Sequence, residues 1–233
     1  MNLFILQQQE EVIALAQFDI KDAVLKKCLL KEDETVITVP DGVTVIGKDA
    51  LCGLQSVIAV TLPESLKVIN DGAYYGCSSL TSVTLPDGVE RLGSCAFAQC
   101  SALNTIYLDN KLTEIGNSAF WGCTSLESID IPAGITKIGY NLFGSCLSLI
   151  SVSLPDTVTE LDERAFKECT SLAYITLPDS LLKIGNMAFL NCHSLRSVNI
   201  PDRLESIGEK AFFMCESLNE LEIPDGIISV GGD

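Results

Sequence analysis

Residues Ser79–Cys100 read SLTSVTLPDGVERLGSCAFAQC, and after one further residue the pattern starts over. Within it Val83 and Leu85 alternate with Ser82 and Thr84, the period-two spacing of a short strand with one face in a core. Moving outward in steps of 23, Leu85 has an apolar copy each time: Val39, Leu62, Leu108, Ile131, Leu154, Leu177, Ile200 and Ile223. A fixed period in the twenties is the mark of a solenoid, whose units bury their apolar faces only by stacking on one another. Nine such units, the last incomplete, are expected over residues 35–233, with parallel strands on a concave face.

The other positions of the unit take physical roles from the same comparison. All eight prolines follow the Leu85-type residue directly, where a missing N–H ends a strand and Pro-Asp-Gly opens a turn. Val89 and Leu92 are apolar in every unit and define a short extended segment. Gly93 has the copies Gly47, Asn70, Gly116, Gly139, Asp162, Gly185, Gly208 and Gly231, residues that tolerate a left-handed backbone, so a positive-φ corner is expected there. Then comes an Ala-Phe pair, Ala96-Phe97 in this unit, three residues before a cysteine, a spacing that predicts a short 3₁₀ turn on the convex side.

Seven cysteines, Cys77, Cys100, Cys123, Cys146, Cys169, Cys192 and Cys215, recur at one position. Neither the irregular spacing of a disulfide framework nor C-x-x-C zinc spacing is present, so the expectation is a ladder of buried thiols meeting backbone carbonyls.

The run Leu-x-x-Ile/Val-x-Leu-Pro-Asp-x-Val-x-x-Ile-Gly-x-x-Ala-Phe-x-x-Cys-x-x-Leu resembles the BspA-like, or Treponema-type, leucine-rich repeat over roughly 200 residues. The resemblance implies a leucine-rich repeat solenoid and a binding role, often as a cell-surface adhesin, and carries over no catalytic residue. Phe18 to Leu25 resembles the segment preceding the first unit in such proteins, giving a capping β-hairpin over 17–34, with Ala23 where glycine would ease the turn. An amphipathic helix over 19–30 is the competing reading. Residues 1–16 form an N-terminal segment, with a short helix expected over Glu10 to Gln17.

Composition narrows the partner class. A formal charge of −16 with only 15 scattered Lys and Arg argues against nucleic acid and anionic membrane surfaces. No stretch approaches the roughly 20 apolar residues of a membrane span, and the N-terminus lacks a basic n-region and cleavage site. The family resemblance places the protein at the cell surface or secreted; the missing signal and the many cysteines favour a cytoplasmic, intracellular protein-interaction scaffold instead.

Two outward positions per strand form the candidate binding face. Most are small hydroxyls, and Tyr107, Asp130 and Tyr174 are the departures that would anchor a protein partner. Unit four is irregular, with Asp109-Asn110-Lys111 in place of Pro-Asp-Gly and the only tryptophan, Trp121, after its Ala-Phe pair. Tyr75, Leu190 and Phe213 share the Trp121 position, an apolar stripe that would serve as a partner or oligomer contact. The incomplete last unit predicts an apolar end surface that could pair with another copy.

A row of acids after the prolines (Asp41, Glu64, Asp87, Asp156, Asp179, Asp202, Asp225) invites a Ca²⁺ reading, but turn capping explains it more simply and no metal site is assigned. His193, the single histidine, has no nucleophile motif nearby. A carboxylate pair such as Asp156 and Asp179 would have glycosidase-like spacing, yet a uniform array lacks the contrasted environments that separate acid from base. No catalytic residue and no cofactor are expected.

Overall fold

A computed structural model describes residues 16–30 and 34–232 as a parallel β-solenoid of about nine coils spaced 23 residues apart. The first eight coils each contribute to two ladders, and the ninth to the second alone. The first stacks Val36–Thr38, Ala59–Thr61, Ser82–Thr84 and Thr105–Tyr107 in parallel register, then Ser128–Asp130 on Ser151–Ser153, then Tyr174–Ile175 on Ser197–Val198. The second uses two-residue strands from the extended segment: Val45–Ile46, Val68–Ile69, Arg91–Leu92 and Glu114–Ile115, followed by Lys137–Ile138, Glu160–Leu161, Lys183–Ile184, Ser206–Ile207 and Ser229–Val230. The extended segment is therefore a β-ladder in its own right.

The first coil rests on an antiparallel hairpin of β1 (Gln17–Lys21) and β2 (Val24–Leu29), and β2 pairs in parallel with Val45–Ile46. Both turn residues are left-handed, Asp22 at φ 53° and Ala23 at 59°, the backbone a two-residue primed turn requires. The short helix expected over Glu10 to Gln17 lies largely outside the described residues; Gln17 itself opens β1.

Two expectations about the corners are corrected. Among the described residues no helix forms, so the Ala-Phe-x-x-Cys segment is not a 3₁₀ turn. The left-handed residues lie elsewhere than the Gly93 position: none of Gly47, Gly93, Gly116, Gly139, Gly185, Gly208 and Gly231 has positive φ. Instead the first eight coils turn left-handed twice, just before the Ala-Phe position (Cys95 φ 54°, Ser118 56°, and Asn141 52° before Leu142) and just before the Cys position (Gln99 61°, Ser145 57°, Glu168 62°). The physical reason is rung-to-rung bonding. In the first seven coils these left-handed residues direct their own N–H to the next coil, as in Ser118 to the Tyr140 carbonyl at 2.9 Å and Gln99 to the Trp121 carbonyl at 2.7 Å, which a helical turn would not allow.

The Gly93-type glycines serve close approach. A Cβ on Gly93 would meet the Asn70 carbonyl carbon at 2.6 Å, and one on Gly208 the Gly185 carbonyl carbon at 2.6 Å.

Among the described residues the interior between the ladders buries no charged side chain, and its polar side-chain atoms are those of the cysteine thiols and the Tyr74 hydroxyl. Tyr74, Phe97, Phe120, Phe143, Phe166, Phe189 and Phe212 stack ring on ring with centroids 4.9–5.9 Å apart and planes within 13°. Such stacked pairs add about 0.5–1.5 kcal/mol each beyond the area they bury. Beside this column the seven ladder cysteines are free thiols, each donating S–H to a carbonyl one rung back, as in Cys100 to Tyr74 at 3.1 Å and Cys146 to Phe120 at 3.2 Å.

Candidate functional site

The first ladder alternates buried and exposed residues, so its outer face is a row of Ser and Thr side chains interrupted by larger ones. Tyr107 closes its strand opposite Thr84 and is 68% exposed; Asp130 occupies the same row one coil on and is exposed. Tyr174, 56% exposed, stands opposite Ser197 in the neighbouring row. The fold thus gathers these three residues on one face over units four to seven. Trp121 does not join them. It lies in the turn between left-handed Ser118 and Gly122, half-buried, and its carbonyl accepts the Gln99 amide.

One coil before Tyr174, sequence reasoning missed two further exposed apolar residues. Leu147 is 43% exposed and Ile150 55% exposed. Leu147 occupies a position where Ser101, Thr124 and Thr170 use their hydroxyls to bond the preceding coil, so the departure was legible as an apolar residue in a hydroxyl column.

Unit four keeps its turn despite losing Pro-Asp-Gly. Asp109 accepts the Lys111 amide through Oδ1 at 2.9 Å, an Asx turn, while the Asp109 carbonyl accepts the Leu112 amide at 3.0 Å, as the Pro63 carbonyl does for Leu66. Elsewhere the post-proline acids are exposed and the proline carbonyl closes the turn, which corrects the expectation that those carboxylates cap it. Among the described residues no three of His, Cys, Asp and Glu group as a metal site.

The second ladder carries the charges. Arg91 pairs with Glu114 at 3.0 Å; Lys137 pairs with Asp162 at 2.9 Å and Glu160 at 3.2 Å; Lys183 reaches Glu160 at 2.7 Å. Partial burial works against ionisation of Glu160, but hydrogen bonds from Lys183 and Lys137 outweigh it and hold the carboxyl below its usual range. Asp162 is lowered likewise, against burial, by Lys137 and the Glu163 amide. His193 stands 3.7 Å from Glu216, and the thiol of adjacent Cys192 is committed to the Phe166 carbonyl. Among the described residues no helix is long and apolar enough to cross a membrane. At the last coil Ile223, Ile228 and Val230 are exposed.

A 23-residue coil with an aromatic column, a thiol ladder and a hairpin over its first rung defines a leucine-rich repeat solenoid. The chain belongs to the BspA type leucine-rich repeat family, whose repeat region matches residues 19–150 and 136–233 in six copies. A leucine-rich repeat protein from Bacteroides ovatus ATCC 8483 is 30% identical with a TM-score of 0.86; the match covers 95% of this chain and 61% of that one. The leucine-rich repeat protein of T. pallidum is 28% identical over 88% of this chain and 89% of its own, with a TM-score of 0.65. A leucine-rich cell surface protein from Faecalibacterium prausnitzii A2-165 is 26% identical, TM-score 0.59, over 92% of this chain and 82% of its own. No curated protein sequence matches the chain. This chain therefore spans about three-fifths of the length of the B. ovatus protein.

Proposed function

We propose that this chain is a non-catalytic recognition module that binds a protein partner through the outer face of its first ladder, in an adhesion role at the cell surface. The observation that carries the reading is the exposure of Tyr107 and Tyr174, 68% and 56%, on a face otherwise built of small hydroxyls. Large rigid aromatics left in water on a β-surface are the residues from which binding energy is most readily drawn. Asp130 adds a charge beside Tyr107 that sets orientation more than affinity. The surface location draws support from the F. prausnitzii relative, a cell surface protein.

An intracellular scaffold is favoured by one observation, that all ten cysteines are free. Seven of them are sealed in the ladder, so this bears mainly on exposed Cys52 and partly exposed Cys95.

The test treats intact source cells with a membrane-impermeant protease and probes for this region, with a cytosolic protein and a known surface protein as controls. Digestion supports the surface reading; full protection alongside a digested surface control overturns it. Immobilised extracellular-matrix proteins are then offered the native chain and Tyr107→Ala/Tyr174→Ala. Loss of at least about tenfold in affinity is expected for the double variant; unchanged affinity overturns the assignment of the face.

A further inference from the structure

Both ladders stop at the same place. Thr105–Tyr107 does not pair with Ser128–Asp130, and Glu114–Ile115 does not pair with Lys137–Ile138. The bonds flanking the strands are missing too. In other coils Thr113 N–H reaches the Glu90 carbonyl, Thr159 N–H the Thr136 carbonyl, Gly116 N–H the Leu92 carbonyl and Asp162 N–H the Ile138 carbonyl, at 2.8–3.0 Å. Among the described residues the equivalents from Glu127 to Asn104, Thr136 to Thr113 and Gly139 to Ile115 are absent.

The gap has a width and an edge. The opening is local to the second ladder: a Cβ on Gly47 would stand 2.6 Å from the Leu25 carbonyl oxygen, whereas one on Gly139 would meet Asn117 Oδ1 at 2.9 Å and stand 4.0 Å from the Ile115 carbonyl oxygen, while at the turn before it a Cβ on Gly134 would still run into the Leu112 carbonyl oxygen. Ile115 is only half-buried, while Ile46, Ile69, Leu92, Ile138, Leu161 and Ile184 at its position are fully buried. The ion pairs respect the gap: Glu114 pairs back to Arg91 and Lys137 pairs forward to Glu160 and Asp162.

On the turn side the same two coils stay joined. Ser118, Phe120 and Gly122 donate to the carbonyls of Tyr140, Leu142 and Gly144 at 2.9, 3.1 and 2.8 Å, and the Cys146 thiol still reaches the Phe120 carbonyl. At the first ladder alone, the later break between Ser151–Ser153 and Tyr174–Ile175 is bridged by the second ladder, which runs through from Glu160–Leu161 to Lys183–Ile184.

We infer that the stretch 104–116 against 127–139 is a built-in seam, about which the solenoid flexes as two blocks hinged on the turn-side bonds. Tyr107 and Asp130 lie on opposite lips, so flexing changes the spacing of the proposed binding row and lets that face adjust to a partner. The bearing on recognition rests on the strand-face reading; the seam does not, and it is tested without any partner.

In the unmodified chain, amide hydrogen exchange at Glu127, Thr136 and Gly139 is expected to run at least about tenfold faster than at Ile150, Thr159 and Asp162, their counterparts one coil on. Equal protection overturns the seam. Spin labels carried on a ketone amino acid, which leaves the native cysteines untouched, are placed at Ser82 and Ser151 across the seam, and at Val36 and Thr105 within one block, both three coils apart. The distance distribution across the seam is expected to be about twofold broader. Equal widths overturn the hinge, whether or not Tyr107 and Tyr174 prove to bind anything.

Discussion

The Cys123 thiol donates to the Phe97 carbonyl at 3.2 Å, crossing one rung in a site from which solvent is excluded. Burial pushes this thiol up from its ordinary value of 9.0 to about 12, and pushes those of Cys146 and Cys192 well above it. The folded chain thus keeps protons that the unfolded chain gives up. This contribution to stability is full below pH 9 and lost as pH rises through about 12, so urea midpoints should fall steadily over that interval. Cys123→Ala should cost about 1–2 kcal/mol at pH 7 through the lost bond and the space left behind. In the native chain an alkylating reagent should modify exposed Cys52 and leave the seven ladder thiols untouched.

Tyr74 occupies the first place in the aromatic column, fully buried, and its hydroxyl has no hydrogen-bond partner. A buried polar atom left unpaired costs about 1–3 kcal/mol. Tyr74→Phe, which makes this coil like its neighbours, should stabilise the protein by about 1 kcal/mol or more in thermal or urea unfolding. A loss of stability would show that the hydroxyl is satisfied.

Gly116 and Ser118 should respond in opposite ways to substitution. A Cβ on Gly116 would meet the Gly93 carbonyl carbon at 2.5 Å, so Gly116→Ala must push two rungs apart and should cost upwards of about 2 kcal/mol. Ser118 is left-handed at φ 56°, and Ser118→Gly removes that strain for a change of only about 1 kcal/mol in either direction. Urea denaturation of the pair distinguishes crowding from backbone conformation.

The Lys137, Glu160, Asp162 and Lys183 cluster makes stability depend on acid. Because the Glu160 and Asp162 carboxyls are lowered in the folded chain, their contribution is present above the usual carboxylate range of 3.8–4.5 and lost as pH falls through the folded values. Lys137→Met should flatten the decline of the midpoint below pH 4.5 while changing stability at pH 7 by no more than about 1 kcal/mol. An unchanged acid profile would mean that the pairs contribute nothing measurable.

Much of this architecture is legible in the sequence, because a solenoid repeats its physical problem in every coil. Val83 and Leu85 point to the first ladder, Phe97 to the column and Cys100 to the thiol row, each through repetition at one spacing. The corners were misread because glycine has two uses. At Gly93 it permits close approach, whereas the left-handed turns fall on Cys95 and Gln99, residue types that ordinarily carry no such signal. Of the candidate site, exposure of Tyr107, Asp130 and Tyr174 follows from strand alternation, but Trp121 shares only the irregular unit with Tyr107, and distance along a coil separates it from their face. The seam was not legible at all: it is defined by bonds that fail to form between residues of ordinary type, with Asp109-Asn110-Lys111 as the nearest sequence trace.

The bonds between coils join residues 21–26 positions apart, whether backbone to backbone, serine to carbonyl or thiol to carbonyl. A coil therefore finds its backbone partners by counting, and adding or removing one 23-residue unit leaves the spacing of these bonds unchanged. For the gene, this makes the length of the array an inheritable variable: unequal recombination between repeats yields a longer or shorter foldable protein in one step, with a new face assembled from coils already tested.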